Sequence, residues 1–118
     1  MARILIGEDD ALTALDLEDI LREAGHDIVA VIARVSEGHR HVGAVDIAVL
    51  DVELADGQCF ELARSLIDAG AGIVFVSGNR DEDLPQDLPA LFQEKPFQPA
   101  ALLATIDTLI LQRGQSAG

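Results

Sequence analysis

The sequence predicts an α/β domain: a doubly wound, five-stranded parallel sheet with helices on both faces. Three observations predict it. Five short apolar runs recur along the chain at strand length. Segments of helical period lie between them. Acidic and other polar residues follow directly where the apolar runs give out, and that edge of an open α/β sheet is where ligands bind. The central run, Asp46-Ile47-Ala48-Val49-Leu50-Asp51, has four uninterrupted apolar residues and an acid at each end. Such a run suits a strand buried on both faces.

Taken in order, Arg3-Ile4-Leu5-Ile6-Gly7 is the first strand, and Glu8-Asp9-Asp10 follows at once. Leu12 to Ala24 carries apolar residues at 14, 17, 20, 21 and 24, a helical period that Gly25 stops. Ile28 to Ala33 is the second strand. Ser36 to Val45 holds Gly38, Gly43 and two histidines, which predicts a short or irregular helix. After the third strand, 46–50, Leu54-Ala55-Asp56-Gly57 reads as a loop into a helix over 57–69, with Phe60, Ala63, Leu66 and Ile67 on one face and Gly70 at its end. Ile73 to Val76 is the fourth strand, ending in Ser77-Gly78. Residues 79–91 are acidic and carry Leu84-Pro85 and Leu88-Pro89. Proline disfavours helical geometry in the residue before it, so a shortened or irregular fourth helix is expected, in a mobile loop with little apolar surface to fix it. Phe92 to Lys95 is a short fifth strand. A last helix runs from Pro99 to Leu111, with proline in its first turn.

The strand order expected for this pattern is the flavodoxin-like 2-1-3-4-5, which sets strands 1 and 3 side by side at the switch point. The whole of 1–118 reads as a single domain with a core of about 3–112 and a tail at 113–118. In the last helix Leu102, Leu103, Ile106 and Ile110 are expected to face the sheet. That leaves Ala101, Ala104, Leu109 and Leu111 as a surface which, with strand 5, would bind a partner or a second copy.

Composition narrows the function classes. The net charge of −13 repels nucleic-acid phosphates and anionic membrane surfaces. No apolar run reaches about 18 residues, so no membrane span is expected. A single cysteine, Cys59, forbids an internal disulfide and fits a reducing compartment, so the cytoplasm is the expected location. Cys59 itself reads as a small helix-face hydrophobe, and His26, His39 and His41 as surface residues.

The strand ends carry the chemistry. Strand 1 supplies Glu8 and Asp9, strand 3 Asp51, strand 4 Ser77 and strand 5 Lys95. A carboxylate at such a place also serves as a helix cap, so Asp51 alone leaves both readings open. Crowded carboxylates oppose one another unless a cation neutralises them, and a hard divalent ion such as Mg²⁺ takes oxygen ligands. A hydroxyl and an ammonium nearby suit a phosphoryl anion. Together these are parts for phosphoryl transfer onto an aspartate. Asp10 reads as helix N-terminal charge and not as a ligand.

Glu8-Asp9, Leu50-Asp51, Ser77 and Lys95-Pro96-Phe97, in that order at matching strand ends, resemble the receiver domain of bacterial two-component response regulators, from about Arg3 to Gln112. The resemblance implies that Asp51 accepts a phosphoryl group from a phosphohistidine. It implies that Asp9 and Asp51 bind Mg²⁺ directly, Glu8 mostly through water, and Glu53 through its backbone carbonyl. Ser77 would hydrogen-bond the phosphoryl group and Lys95 would pair with it. Phe92 matches an aromatic switch that moves with Ser77, here without a hydroxyl. The Lys95–Pro96 bond would be cis. Ala55 stands where the family usually has proline, Cys59 where it often has glycine, and the stretch from Ser77 to Lys95 is shorter by about one helical turn. Phe75-Val76-Ser77-Gly78 is similar to a sub-class of stand-alone receivers with Phe-Ala-Thr-Gly there.

The function expected from this resemblance is a stand-alone phosphoacceptor signalling domain, not an enzyme with a separate substrate, although reaction with small phosphodonors and autodephosphorylation are expected. Its partners would be a histidine kinase or a histidine phosphotransfer protein and a downstream protein; alternatively it would drain phosphate from a relay. Two competing readings are a pseudo-receiver that only binds, and a Mg²⁺-dependent aspartyl phosphatase with Glu53 as its second acid.

Overall fold

The computed structural model describes residues 1–78 and 84–117, with 114–117 described by their backbone alone. Its order is β1 (Arg3–Gly7), α1 (Ala11–Glu23), β2 (Asp27–Ile32), two single 3₁₀ turns (Val35–Glu37 and His39–His41), β3 (Ile47–Asp51), β4 (Glu53–Leu54), β5 (Gly57–Gln58), α2 (Phe60–Asp68), β6 (Gly72–Ser77), β7 (Leu91–Glu94) and α3 (Pro99–Ala117). Strands β2-β1-β3-β6-β7 form one parallel sheet, the order the sequence predicts.

The alternation within each strand builds two cores. Ile47 and Val49 of β3 join Ile4, Ile6, Val74 and Val76 under α1 and α3. Ala48 and Leu50 turn the other way and join Leu5, Ile73 and Phe75 under α2. A period-2 strand that is apolar throughout can lie only where both faces are covered, and β3 is the middle strand of the five. Gly25 and Gly70, at φ +92° and +98°, follow α1 and α2 in the left-handed conformation that stops a helix. The edge strand β2 carries a register irregularity opposite Ile4 and Leu5.

Several elements differ from expectation. The 54–57 stretch is the turn of a small antiparallel hairpin, β4–β5, and α2 starts at Phe60 because Gly57 sits at φ +134°, outside helical space. The expected tail is helical, since α3 runs on to Ala117. Leu109 is a core residue, only 3% exposed, whereas Leu111 is 67% exposed. Leu102, Ile106 and Leu109 make the buried i, i+4, i+7 stripe, with Leu103 and Ile110 half-buried at its sides. His26 and His41 are half-buried and His39 is exposed, and the His26 Nδ1 accepts the Ala2 N–H at 3.1 Å.

Part of the expected fourth-helix region, 79–83, lies outside the described residues. Among the described residues no helix lies between β6 and β7; 84–90 forms a turn in which the Leu88 N–H donates to the Pro85 carbonyl at 3.4 Å. Contrary to the expectation of little apolar surface, Leu84, Leu88 and Ala90 pack against the α2-side core. Asp87 accepts two hydrogen bonds from Arg64 of α2, at 2.7 and 3.1 Å. The segment thus covers the core face with side chains where a helix would otherwise stand. Arg64→Ala should speed amide exchange at 86–90 while leaving β3 and β6 protected; equal protection in both proteins would show that the apolar contacts alone hold it.

At the opposite edge of the sheet, Asp46 accepts the Arg3 N–H at 2.8 Å and lies 3.3 Å from Arg113 Nη1. The Arg3 backbone hydrogen bond, aided by the Arg113 and Arg3 charges, holds the Asp46 carboxyl below its ordinary value. A lowered folded-state value stabilises the fold above the unfolded carboxyl's range, and that contribution is lost as pH falls through the lower, folded value. Asp46→Asn should therefore lose less stability than wild type on acidification below about pH 4, as urea midpoints would measure.

Candidate functional site

The strand ends converge as the topology requires. Gly7 of β1 pairs with Leu50 of β3, so Glu8 and Asp51, the residues that follow each, stand together. Asp51 in turn pairs with Val76, one residue before Ser77. Ser77 pairs with Glu94 of β7, and the Lys95 N–H donates to the Ser77 carbonyl at 2.8 Å, which carries the ladder to the sheet's edge. The Lys95–Pro96 bond is cis.

One oxygen each from Glu8, Asp9 and Asp51 lies within 4.8 Å of the others. Glu8 is buried at 3% exposure, Asp51 is half-buried and Asp9 is exposed, so the cluster opens to solvent on the Asp9 side. Lys95 Nζ donates to Glu8 Oε1 at 2.6 Å and to Asp51 Oδ2 at 2.7 Å. The Asp10 N–H donates to Glu8 Oε2 at 3.0 Å and the Glu53 N–H to Asp51 Oδ1 at 3.2 Å. Burial raises the Glu8 carboxyl above its ordinary value, against the Lys95 and Asp10 hydrogen bonds. Burial pulls the Lys95 ammonium the other way, but its bonds to Asp51 and Glu8 outweigh that and hold it above the ordinary lysine value.

Asp10 stands apart from this cluster. It caps α1, accepting from the Thr13 N–H at 3.0 Å and the Thr13 hydroxyl at 2.6 Å, and those bonds lower its carboxyl. Phe92 pairs with Phe75 across β7 and β6 and lies half-buried against the α2-side core. Cys59 is fully buried and its thiol is pushed up to about 12 by burial, so it is chemically quiet. The two exposed or half-exposed histidines, His39 and His41, belong to a 3₁₀ turn away from the cluster. Beside Lys95 a groove opens between α1 and the chain after β7, lined by Thr13, Asp16, Ile20, Pro96, Phe97 and Pro99.

Two contacts at or near the site had no sequence signal of their own. The Lys95–Glu8 bond joins residues 87 positions apart. Asp56 accepts the N–H groups of Val35 at 2.6 Å and Ser36 at 3.2 Å, tying the β4–β5 turn to the first 3₁₀ turn, and it reads from sequence only as a turn residue.

The chain's structural neighbours include response regulator receiver domains. It is similar to the phyllosphere-induced regulator PhyR of Methylorubrum extorquens, at 28% identity over 87% of this chain and 41% of that protein. It therefore spans about two fifths of that relative's length. Among solved structures it resembles the receiver domain of Erythrobacter litoralis PhyR, at TM-score 0.81 and 25% identity over 93% of this chain and 90% of that one. It also resembles SdrG from Sphingomonas melonis Fr1, at TM-score 0.80 and 27% identity over 93% and 97%. A CheY-like receiver domain from Methanospirillum hungatei JF-1 shares the fold, at TM-score 0.84 and 22% identity over 98% of each chain. No family model matches the chain. No helix among the described residues is long and apolar enough to cross a membrane.

Proposed function

We propose that this domain accepts a phosphoryl group on Asp51 from a phosphohistidine of a histidine kinase or phosphotransfer protein. The observation that carries this reading is the Lys95 ammonium held 2.7 Å from Asp51 Oδ2, at the edge where Glu8 and Asp9 also converge. An Asp51 carboxylate oxygen attacks phosphorus, the P–N bond to the donor histidine breaks, and its electron pair stays on the imidazole. The product is an acyl phosphate. Lys95 neutralises charge on the phosphoryl oxygens, and Ser77, at the end of the neighbouring strand, hydrogen-bonds one of them.

The donor set of Glu8, Asp9 and Asp51 is all carboxylate oxygen, which fits Mg²⁺. Asp9 and Asp51 would hold it, with Glu8 through water and the Glu53 backbone carbonyl beside Asp51. When bound it supplies positive charge to the phosphoryl oxygens. Phe92 turns on its strand when Ser77 is drawn to the phosphoryl group, and 84–90 shifts with it, passing the signal to a downstream protein. Leu111, with the exposed Ala101 and Ala104, is the apolar surface of α3 left for a partner or a second copy. The reading implies a cytoplasmic signalling domain of a two-component system.

Incubation with a small phosphodonor and Mg²⁺, followed by intact mass, tests it: one phosphoryl group should be gained and then lost in both acid and base. A gain stable to both would refute an acyl phosphate. Mg²⁺ at 100 times its Kd should add about 2.7 kcal/mol of stability. Asp9→Ala should lose most of that response and Asp10→Ala little; equal losses would sink the choice of ligands.

A further inference from the structure

We propose that the two 3₁₀ turns between β2 and β3 form a docking surface for an acidic segment of a protein partner, held through Arg34 and Arg40. This surface stands apart from the acidic cluster and does not depend on the phosphoryl reading. The chain carries 21 acidic side chains against 8 Lys and Arg, so a surface cation readily finds a carboxylate. Arg3, Arg22, Arg64, Lys95 and Arg113 each do, at 2.6 to 3.7 Å. Among the described residues, Arg34 and Arg40 are the Lys and Arg side chains without an ion pair, and both are exposed.

The acids that touch this segment are engaged with its backbone. Glu37 Oε1 accepts the N–H groups of Ala33 and Arg34, both at 3.1 Å. Asp56 accepts those of Val35 at 2.6 Å and Ser36 at 3.2 Å. Both guanidinium groups are thereby left to solvent. The segment is also a firm base for them. Gly38, between the turns, lies so close to the core that a Cβ there would collide with Leu62 and Ile32. Val35 and Val42 pack against the same core, and the Ala55 N–H donates to the Ala33 carbonyl at 3.0 Å. Gly38 keeps a right-handed helical conformation, φ −83° and ψ −27°, so one turn runs on into the next. The period of three in such turns brings residues 34, 37 and 40 to one side.

The occupant follows from this chemistry. A planar guanidinium pairs with carboxylates in a two-point geometry. A nucleic acid is disfavoured, because a net charge of −13 repels its phosphates and two arginines neutralise few of them. A second copy brings the same −13 with it. A short acidic segment feels chiefly the charges within the Debye length, about 8 Å at physiological ionic strength.

NMR titration of the unphosphorylated ¹⁵N-labelled protein with an octaglutamate peptide at low salt tests this. Amide shifts should localise to 33–41 and to 53–56, the hairpin bonded to it. Arg34→Gln/Arg40→Gln should raise the Kd at least about threefold. Arg3→Gln/Arg22→Gln, which removes the same charge elsewhere, should leave it unchanged. No binding, shifts centred outside these segments, or equal weakening in both double variants would overturn the proposal. So would tighter binding of a single-stranded oligonucleotide through the same arginines. Self-association on sedimentation that Arg34→Gln/Arg40→Gln abolishes would overturn the acidic partner and put a second copy in its place.

Discussion

Asp51→Asn should take up no phosphoryl group under conditions where the wild-type chain takes up one. The amide is nearly the same shape, so the packing of β3 is preserved: Leu50 and Val49 behind it are fully buried and untouched. What is lost is the negative oxygen that attacks phosphorus. An amide oxygen has neither the charge nor the basicity to form an acyl phosphate. Stability should change little, within about 1 kcal/mol, because two effects oppose one another. Repulsion from Glu8 and Asp9 is relieved. At the same time the 2.7 Å pair with Lys95 is lost. The Mg²⁺ response should fall sharply, since Asp51 is also a ligand in this account. A folded Asp51→Asn protein that still gains phosphate would place the nucleophile elsewhere.

Leu109→Asp should destabilise the domain by about 4 kcal/mol or more, while Leu111→Asp should change it by no more than about 0.5 kcal/mol. The two residues are neighbours on α3 with the same side chain, and only their faces differ. Leu109 is 3% exposed and packs with Ile106 and Leu102 in the core under α1 and α3. A carboxylate there loses the leucine's burial and is itself desolvated without a partner. Leu111 is 67% exposed. Urea denaturation of the two variants measures the difference directly, and similar midpoints would mean that α3 is rotated from the position described.

The sheet, and which side chains meet at its carboxyl edge, were legible in the sequence for the same reason. Strand β3 is apolar at every buried position, and only a doubly covered strand tolerates that pattern. Asp51 is then marked by being the first charge after its four buried apolar residues; Glu8 is the first residue after β1, Ser77 the last of β6 and Lys95 the first after β7. Helix α3 was harder. Its run Ala100-Ala101-Leu102-Leu103-Ala104 and Leu109-Ile110-Leu111 is apolar on almost every face, so periodicity alone did not separate Leu109 from Ile110. Its expected end at Leu111 is also overrun, since the helix continues to Ala117. The β4–β5 strands have two residues each, too few for any alternation to show. The two prolines at 85 and 89 did speak against a regular helix, and the described part of that region has none. How it is held was not legible, since Arg64–Asp87 joins charges 23 positions apart, and the Lys95–Glu8 bond in the site, 87 positions apart, was equally hidden. An ion pair between distant elements leaves no local pattern.

Reductive trapping tests, at the level of the residue, whether Asp51 is the phosphoacceptor. Borohydride reduces an acyl phosphate on aspartate to the alcohol and leaves free carboxylates alone. Wild-type protein treated with a small phosphodonor and Mg²⁺, trapped and mapped by peptide mass, should carry homoserine at position 51 and at no other acid. Homoserine at position 9, or none anywhere after phosphate has been taken up, would contradict the account.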